Sequence, residues 1–320
     1  MKKILVSAPF DFLPLLKKDI SETFDCIFAY EYSRENTIQV LQENEFEGWL
    51  VSPCPTYFID EEIMSYCPTI KIISTPSTGT NHIDVKSATK KGIEIFSLRG
   101  TKVISSITAS SEFTFNLILS TIRKTPYAFN GVLNGNWRNA EKLYRGRELS
   151  SLSIGIIGFG RIGSNVSKYC NAFNMDIFAF DPHANIDRKY VREAGSLNEL
   201  VSAVDIVTVC VHLNEQTKGM VNENLFNKMK DGVYLINTSR GAVINEEDLI
   251  NNLKNGKILA AGLDVLSDEL VEGEIKSPLI DYAKTHDNLI ITPHMAGLTF
   301  DSEEKAQAAS YDAIKKNLLQ

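Results

Sequence analysis

Three stretches of this 320-residue chain each set one chemically capable side chain just beyond an apolar run. Asn237-Thr238-Ser239-Arg240-Gly241 carries a guanidinium. Gly262-Leu263-Asp264-Val265-Leu266-Ser267-Asp268-Glu269 carries a carboxylate, and Thr292-Pro293-His294-Met295-Ala296-Gly297 an imidazole. A planar guanidinium fork holds a carboxylate or carbonyl oxygen. An imidazole moves a proton near neutral pH, and a neighbouring carboxylate orients it. Singly, each has an ordinary reading: Arg240 as a surface ion-pair partner, Glu269 as a solvated loop acid, His294 as a hydrogen-bonded loop histidine. Around one nucleotide-binding fold, the three together are what hydride transfer to a 2-keto acid requires.

The nucleotide-binding fold is signalled by Ser153-Ile154-Gly155-Ile156-Ile157-Gly158-Phe159-Gly160-Arg161-Ile162-Gly163. An apolar run that reads as a buried strand turns through Gly158, Gly160 and Gly163, spaced G-x-G-x-x-G. Ile162, Val166, Tyr169 and Phe173 then recur at helical spacing. Such a strand–turn–helix unit seats a pyrophosphate on the free amides and positive end of the helix. Asp181 follows about 20 residues later at the end of the next strand, where a carboxylate accepts hydrogen bonds from ribose hydroxyls. It would repel a 2′-phosphate and so favours NAD over NADP. The alternative for Asp181 is a cap on the turn before Pro182.

The elements that must position these groups alternate between strand and helix along the whole chain, the pattern of α/β domains built on parallel sheets. In the first hundred residues the candidate strands are Lys3–Ser7, Cys26–Tyr30, Gly48–Val51, Ile70–Ser74 and Ile93–Phe96. The loop Thr75-Pro76-Ser77-Thr78-Gly79-Thr80 directly follows one of them, at the strand end where open sheets collect ligands. It reads equally as a turn before a helix capped near Asn81 or Asp84. Ile104–Lys124, free of Gly and Pro, predicts one long buried helix crossing between domains. The polar stretch from Asn134 to Glu148, with Trp137, reads as a loop or an arm at a subunit interface. After Leu152 a second series begins, with strands at Asp176–Asp181, Asp205–Val211, Val233–Thr238, Leu259–Val265 and Asn288–Thr292. Helices are expected at Asn222–Lys230, Asn245–Asn255 and Ser302–Leu318. If the last returns to the first domain, the nucleotide domain is an insertion, with crossings near 100 and 295.

The composition is 43% hydrophobic and 23% charged, ordinary for a globular protein long enough for two cores. A net charge of −7 gives no reason to expect nucleic acid or an acidic membrane as partner. No apolar run approaches the roughly 18–20 residues needed to cross a bilayer. Pro9, Asp11 and Pro14 interrupt the N-terminal apolar segment, which reads as a first strand. Five cysteines without a C-x-x-C pair fit reduced thiols in the cytoplasm. The five histidines are far apart in sequence and suggest no metal cluster. His212 ends a strand beside the expected cofactor and reads as structure near it.

In combination and in order, GFGRIG at 158–163, Asp181, NTSRGAVINEEDL from Asn237, the GLDV–Glu269 spacing and TPHMAG from Thr292 resemble the D-isomer-specific 2-hydroxyacid dehydrogenases. The resemblance covers almost the full length. It implies a Rossmann NAD-binding domain at 101–294 inserted in a flavodoxin-like substrate domain at 1–100 and 295–320, both doubly wound. It implies catalytic Arg240, Glu269 and His294. It places NAD against Gly158, Gly160, Arg161, Ile162, Gly163, Asp181, Thr238, Ser239 and Gly297, with Asp264 near the nicotinamide carboxamide. Ser77, Thr78 and Gly79 become the main-chain amide site for the substrate carboxylate, alongside Arg240. A homodimer is expected. His294 would protonate the keto oxygen, with Glu269 favouring its imidazolium.

Three departures stand out. Leu270 replaces the proline that many members carry after the glutamate, and Ala109-Ser110-Ser111-Glu112 replaces their usual Val-Ala-Glu. Val51-Ser52-Pro53-Cys54-Pro55 lacks the arginines of a phosphate clamp, although Arg99 and Lys102 lie near the crossing. Two rival readings remain: a nucleotide-sensing corepressor-like binding protein, and a dehydrogenase of a sugar-derived or phosphorylated hydroxy acid.

Overall fold

A computed structural model describes every residue except 188 and 270–272, so Leu270 lies outside the described residues. The chain forms two compact units. The first comprises Met1–Ile107, Glu269–Ile275 and Leu298–Gln320; the second comprises Thr108–Asp268 and Lys276–Gly297.

The first unit holds five parallel strands: β1 (Lys3–Val6), β2 (Asp25–Phe28), β3 (Gly48–Leu50), β4 (Ile72–Ser74) and β5 (Glu94–Phe96). Their spatial order is β2-β1-β3-β4-β5, the flavodoxin-like winding. Side chains alternate faces along a strand, and both faces are covered. Ile4 and Val6 lie with Leu50, Ile72, Tyr311, Ile314 and Leu318, so the C-terminal helix Phe300–Leu319 closes that side. Leu5 points the other way, into a cluster with Trp49, Ile59, Ile63 and Ile73. Trp49 is fully buried, and its indole N–H donates to Ser7 Oγ at 2.9 Å.

The second unit holds seven parallel strands: β6 (Ser153–Ile157), β7 (Asp176–Phe180), β8 (Val191–Glu193), β9 (Ile206–Val209), β10 (Val233–Asn237), β11 (Ile258–Leu263) and β12 (Leu289–Ile291). The order β12-β11-β10-β9-β6-β7-β8 makes a doubly wound sheet that reverses direction between β6 and β9. Ligands of such sheets bind outside the strand carboxyl ends at that switch point. The helix Ala109–Ile122 lays Leu117, Ile118 and Ile122 into the core with Ile154, Ile156, Ile206 and Ile236.

Two expectations about elements change. The long helix predicted over 104–124 is broken. A 3-10 turn at Val103–Ser106 ends at an extended Ile107 (φ −99°, ψ 111°), and the helix proper begins at Ala109. Ile107 is buried with Leu98 and Ala306, a tertiary contact that no glycine or proline announces. The helix expected at 222–230 shrinks to the single turn Glu223–Phe226. The helix Thr125–Leu133 and the short strand β8 were not anticipated. Asp84 does cap its helix, accepting Ser87 N–H at 3.0 Å. All five cysteines are free thiols, with Cys67 and Cys170 buried. No helix among the described residues is long and apolar enough to cross a membrane.

Candidate active site

The glycine turn separates three physical roles. Gly158 follows β6 with φ +91°, and a Cβ there would lie 2.7 Å from the Cys210 carbonyl oxygen. A Cβ on Gly163 would lie 2.2 Å from the Gly158 carbonyl oxygen, so helix and strand touch backbone to backbone. A Cβ on Gly160 would meet nothing within 4 Å. Packing therefore explains Gly158 and Gly163 but not Gly160, whose bare backbone leaves room for a phosphate to approach. Gly160 is also the N-cap of the helix Arg161–Ala172, whose first-turn amides point into that space. Burial lowers the pKa of the Arg161 guanidinium beside it. Ile162 packs against the core.

Asp181, one residue past β7, turns back onto this loop. Its Oδ2 accepts the Phe159 N–H at 2.8 Å, within the glycine turn. Its Oδ1 accepts the His183 and Ala184 N–H groups at 2.8 and 3.1 Å. The side chain thus caps the turn around Pro182 and also braces the phosphate loop. His212, beyond β9, is exposed, and its carbonyl accepts the Thr217 hydroxyl at 2.6 Å.

Beyond β10 the loop is pinned by a residue the sequence reading did not single out. Asn237, fully buried, donates through Nδ2 to the Arg240 carbonyl at 2.9 Å. Its Oδ1 accepts Ser239 N–H at 3.0 Å and Ser239 Oγ–H at 2.7 Å. The available signal was a polar side chain in the last position of a buried strand. Thr238 Oγ1 lies 2.6 Å from Thr114 Oγ1. Arg240 is half-buried and donates through Nη1 to the Ser239 carbonyl at 2.7 Å. The neighbouring loop joins this one, because Asp264 N–H donates to the Asn237 carbonyl at 2.9 Å.

Asp264 is fully buried, and three donors converge on its carboxylate: Thr292 Oγ1–H at 2.6 Å, Met295 N–H at 3.0 Å and Ala296 N–H at 2.8 Å. Burial raises its pKa, against the pull of those donors and of the His294 charge. The carboxylate, expected near the nicotinamide, is engaged by the loop that carries His294. His294 itself has φ +51°, a left-handed backbone that a residue with a Cβ adopts at a cost of about 1–2 kcal/mol. Its N–H donates to the carbonyls of Asp264 at 2.9 Å and Thr292 at 3.0 Å. Gly297 follows, exposed. These loops all leave the carboxyl ends of adjacent parallel strands.

In the first unit, Ser77, Thr78, Gly79 and Thr80 are half-buried in the loop after β4. Among the described residues, none of their four N–H groups has a hydrogen-bond partner. A row of main-chain donors without partners at a strand end is able to seat an anion. Glu269 is half-buried and opens the segment Glu269–Ile275 of the same unit.

Two family models together span nearly the whole chain. The catalytic domain of the D-isomer specific 2-hydroxyacid dehydrogenases matches residues 4–114, and their NAD-binding domain matches residues 115–296. The chain belongs to this family. It is an NAD-dependent oxidoreductase family, and the glycine turn with its bare Gly160 fits that cofactor. A D-3-phosphoglycerate dehydrogenase of Archaeoglobus fulgidus is 31% identical over 289 residues, 86% of this chain. This chain spans only 52% of that relative's length. A glyoxylate reductase of Thermofilum pendens is 35% identical over 80% of this chain and 74% of its own. The crystal structure of an Aquifex aeolicus D-lactate dehydrogenase, complexed with NAD and lactic acid, superposes with a TM-score of 0.82. It is 29% identical, covering 98% of this chain and 94% of that one.

Proposed function

We propose that this dehydrogenase interconverts a small, unphosphorylated 2-keto acid and its D-2-hydroxy acid. The observation that carries the reading is the strained His294 backbone, held by the buried Asp264, whose own N–H ties it to the Arg240 loop of an NAD-binding domain. When bound, the reduced nicotinamide supplies the hydride. Gly158–Gly163 hold the pyrophosphate, and Asp181 holds the adenosine ribose. Thr238, Ser239 and Gly297 border the cofactor. Arg240 grips the substrate carboxylate and keto oxygen with its fork. The amides of the 77–79 loop, with that of the adjoining Thr80, hold the same carboxylate. His294 gives its proton to the keto oxygen in reduction and takes it back in oxidation. Glu269 pairs with the imidazole and orients it.

The absence of phosphate from the substrate is read from the first unit. The loops after β1, β2, β3 and β4 carry no Lys or Arg, and the cations after β5, Arg99 and Lys102, are exposed. Glu303 instead lies half-buried at the start of the C-terminal helix, its carboxyl pushed up by burial. Tyr30 is raised by its own burial and then by Glu303 and Cys54. That surface offers no countercharge to a dianion. A cytoplasmic homodimer completes the reading: Phe129, Leu133, Trp137 and Leu143 stand exposed on and after the helix Thr125–Leu133.

The experiment is a screen of purified protein with NADH against a panel of 2-keto acids and their phosphorylated forms, following NADH absorbance. Turnover of an unphosphorylated member is expected. Tight NADH binding with no turnover of any member would overturn the reading in favour of a nucleotide sensor.

A further inference from the structure

Behind the Ser77–Gly79 loop runs a chain of side-chain hydrogen bonds that begins at a buried histidine. His82 is 5% exposed, and its Nε2 lies 3.2 Å from Thr75 Oγ1. Thr75, fully buried, lies 3.1 Å from Ser77 Oγ, which in turn donates to the Gly79 carbonyl at 2.6 Å. The direction of every bond follows from the last one. A carbonyl only accepts, so Ser77 Oγ–H must be the donor. With that proton committed, Ser77 Oγ accepts from Thr75 Oγ1–H. Thr75 Oγ1 therefore accepts from His82 Nε2–H. The chain assigns His82 a proton on Nε2.

The consequence lies in the peptide planes. In a trans peptide the C=O of one residue and the N–H of the next point in opposite directions. The Gly79 carbonyl is drawn toward the Ser77 hydroxyl, which aims the Thr80 N–H the other way. The Ser77 carbonyl is likewise tied down, accepting the Leu98 N–H at 2.8 Å, and this turns the Thr78 N–H outward. Leu98 is buried, so that anchor is in the interior. Two outward amides, at Thr78 and Thr80, are thus set by two inward carbonyls.

We propose that His82 is a positioning residue for substrate binding: through Thr75 and Ser77 it locks the Gly79–Thr80 peptide so that the Thr80 amide meets the substrate carboxylate. This rests on the reading of the loop as the carboxylate seat. His82 touches neither substrate nor cofactor; it acts through two hydroxyls.

Steady-state kinetics of the intact enzyme test it, with NADH affinity from fluorescence and thermal melting recorded for each variant. His82→Ala and Ser77→Ala are expected to raise KM for the 2-keto acid about tenfold, the loss of one ordered hydrogen-bonded amide, with kcat and NADH affinity within about threefold. His82→Gln, which returns a donor to the Nε2 position, should recover most of the loss; a role in packing alone would not be rescued this way. Thr80→Pro, which deletes the amide itself, tests the underlying seat. A KM unchanged in a Thr80→Pro variant that melts like wild type overturns the seat, and the proposal with it. A raised KM in Thr80→Pro with an unchanged KM in His82→Ala overturns the relay and leaves the seat standing. A fall in kcat alone in His82→Ala also overturns the relay.

Discussion

The backbone N–H of His294 donates to the carbonyl of Asp264 at 2.9 Å, while the Asp264 side chain collects the amides of Met295 and Ala296, the next two residues. The left-handed turn at His294 is therefore held from both ends of one buried aspartate. Asp264→Asn keeps the shape but sets an NH2 group against N–H or O–H donors. It should cost about 1–3 kcal/mol of stability and lower turnover by about 100-fold, since small misplacements of a catalytic group are that expensive. Thermal melting and kcat check both, and wild-type values for the two would refute the cage.

At φ +51° the His294 backbone favours glycine. Both His294→Ala and His294→Gly should lower kcat by roughly 100–10,000-fold, the usual worth of a general acid, with NADH affinity little changed. The glycine variant should nonetheless be the more stable of the two by about 1 kcal/mol, as denaturant unfolding would show.

Asp181 serves the fold and, in the proposed reading, the cofactor as well. Removing its carboxylate in Asp181→Ala leaves the amides of Phe159, His183 and Ala184 without their acceptor, so about 1–3 kcal/mol of stability should be lost. NADH affinity should fall with it, and the preference for NADH over NADPH should narrow. A preference for NADPH in the wild-type enzyme would contradict the ribose role.

The exposed apolar residues Leu133 and Trp137 predict the assembly. Trp137→Arg should weaken self-association by roughly 30-fold or more, about 2 kcal/mol, as expected for a buried aromatic anchor. Sedimentation across a concentration series measures it. A wild-type protein that is monomeric throughout would refute the dimer.

Asp205 predicts an acid sensitivity. Burial raises its carboxyl, but hydrogen bonds from Ser153 N–H, Ser153 Oγ–H and Lys230 outweigh this and leave the pKa lowered. A carboxyl lowered in the folded state stabilises above its unfolded pKa, and that stability is lost as pH falls through the folded value. Urea unfolding of Asp205→Asn should therefore show less stability at neutral pH and a shallower loss on acidification below about pH 4.

How much was legible in the chain follows from the range of each interaction. Strand–helix alternation and the G-x-G-x-x-G turn are local patterns, so the two α/β units, the glycine loop and the acid at Asp181 could be read directly. The family motifs at Arg240 and His294 were likewise contiguous. What the sequence could not specify was which atoms those residues would meet. Asp181 has two readings in sequence, and the structure shows its carboxylate capping the Pro182 turn while reaching back 22 residues to Phe159. Asp264 meets the His294 loop from about thirty residues away. Ile107 ends a helix because of burial against Leu98 and Ala306, not because of its own propensity. The role of Asn237 and the His82–Thr75–Ser77 chain exist only because folding brings side chains to hydrogen-bonding distance. Local periodicity encodes the elements; the direction of a buried proton depends on partners that only the folded chain assembles.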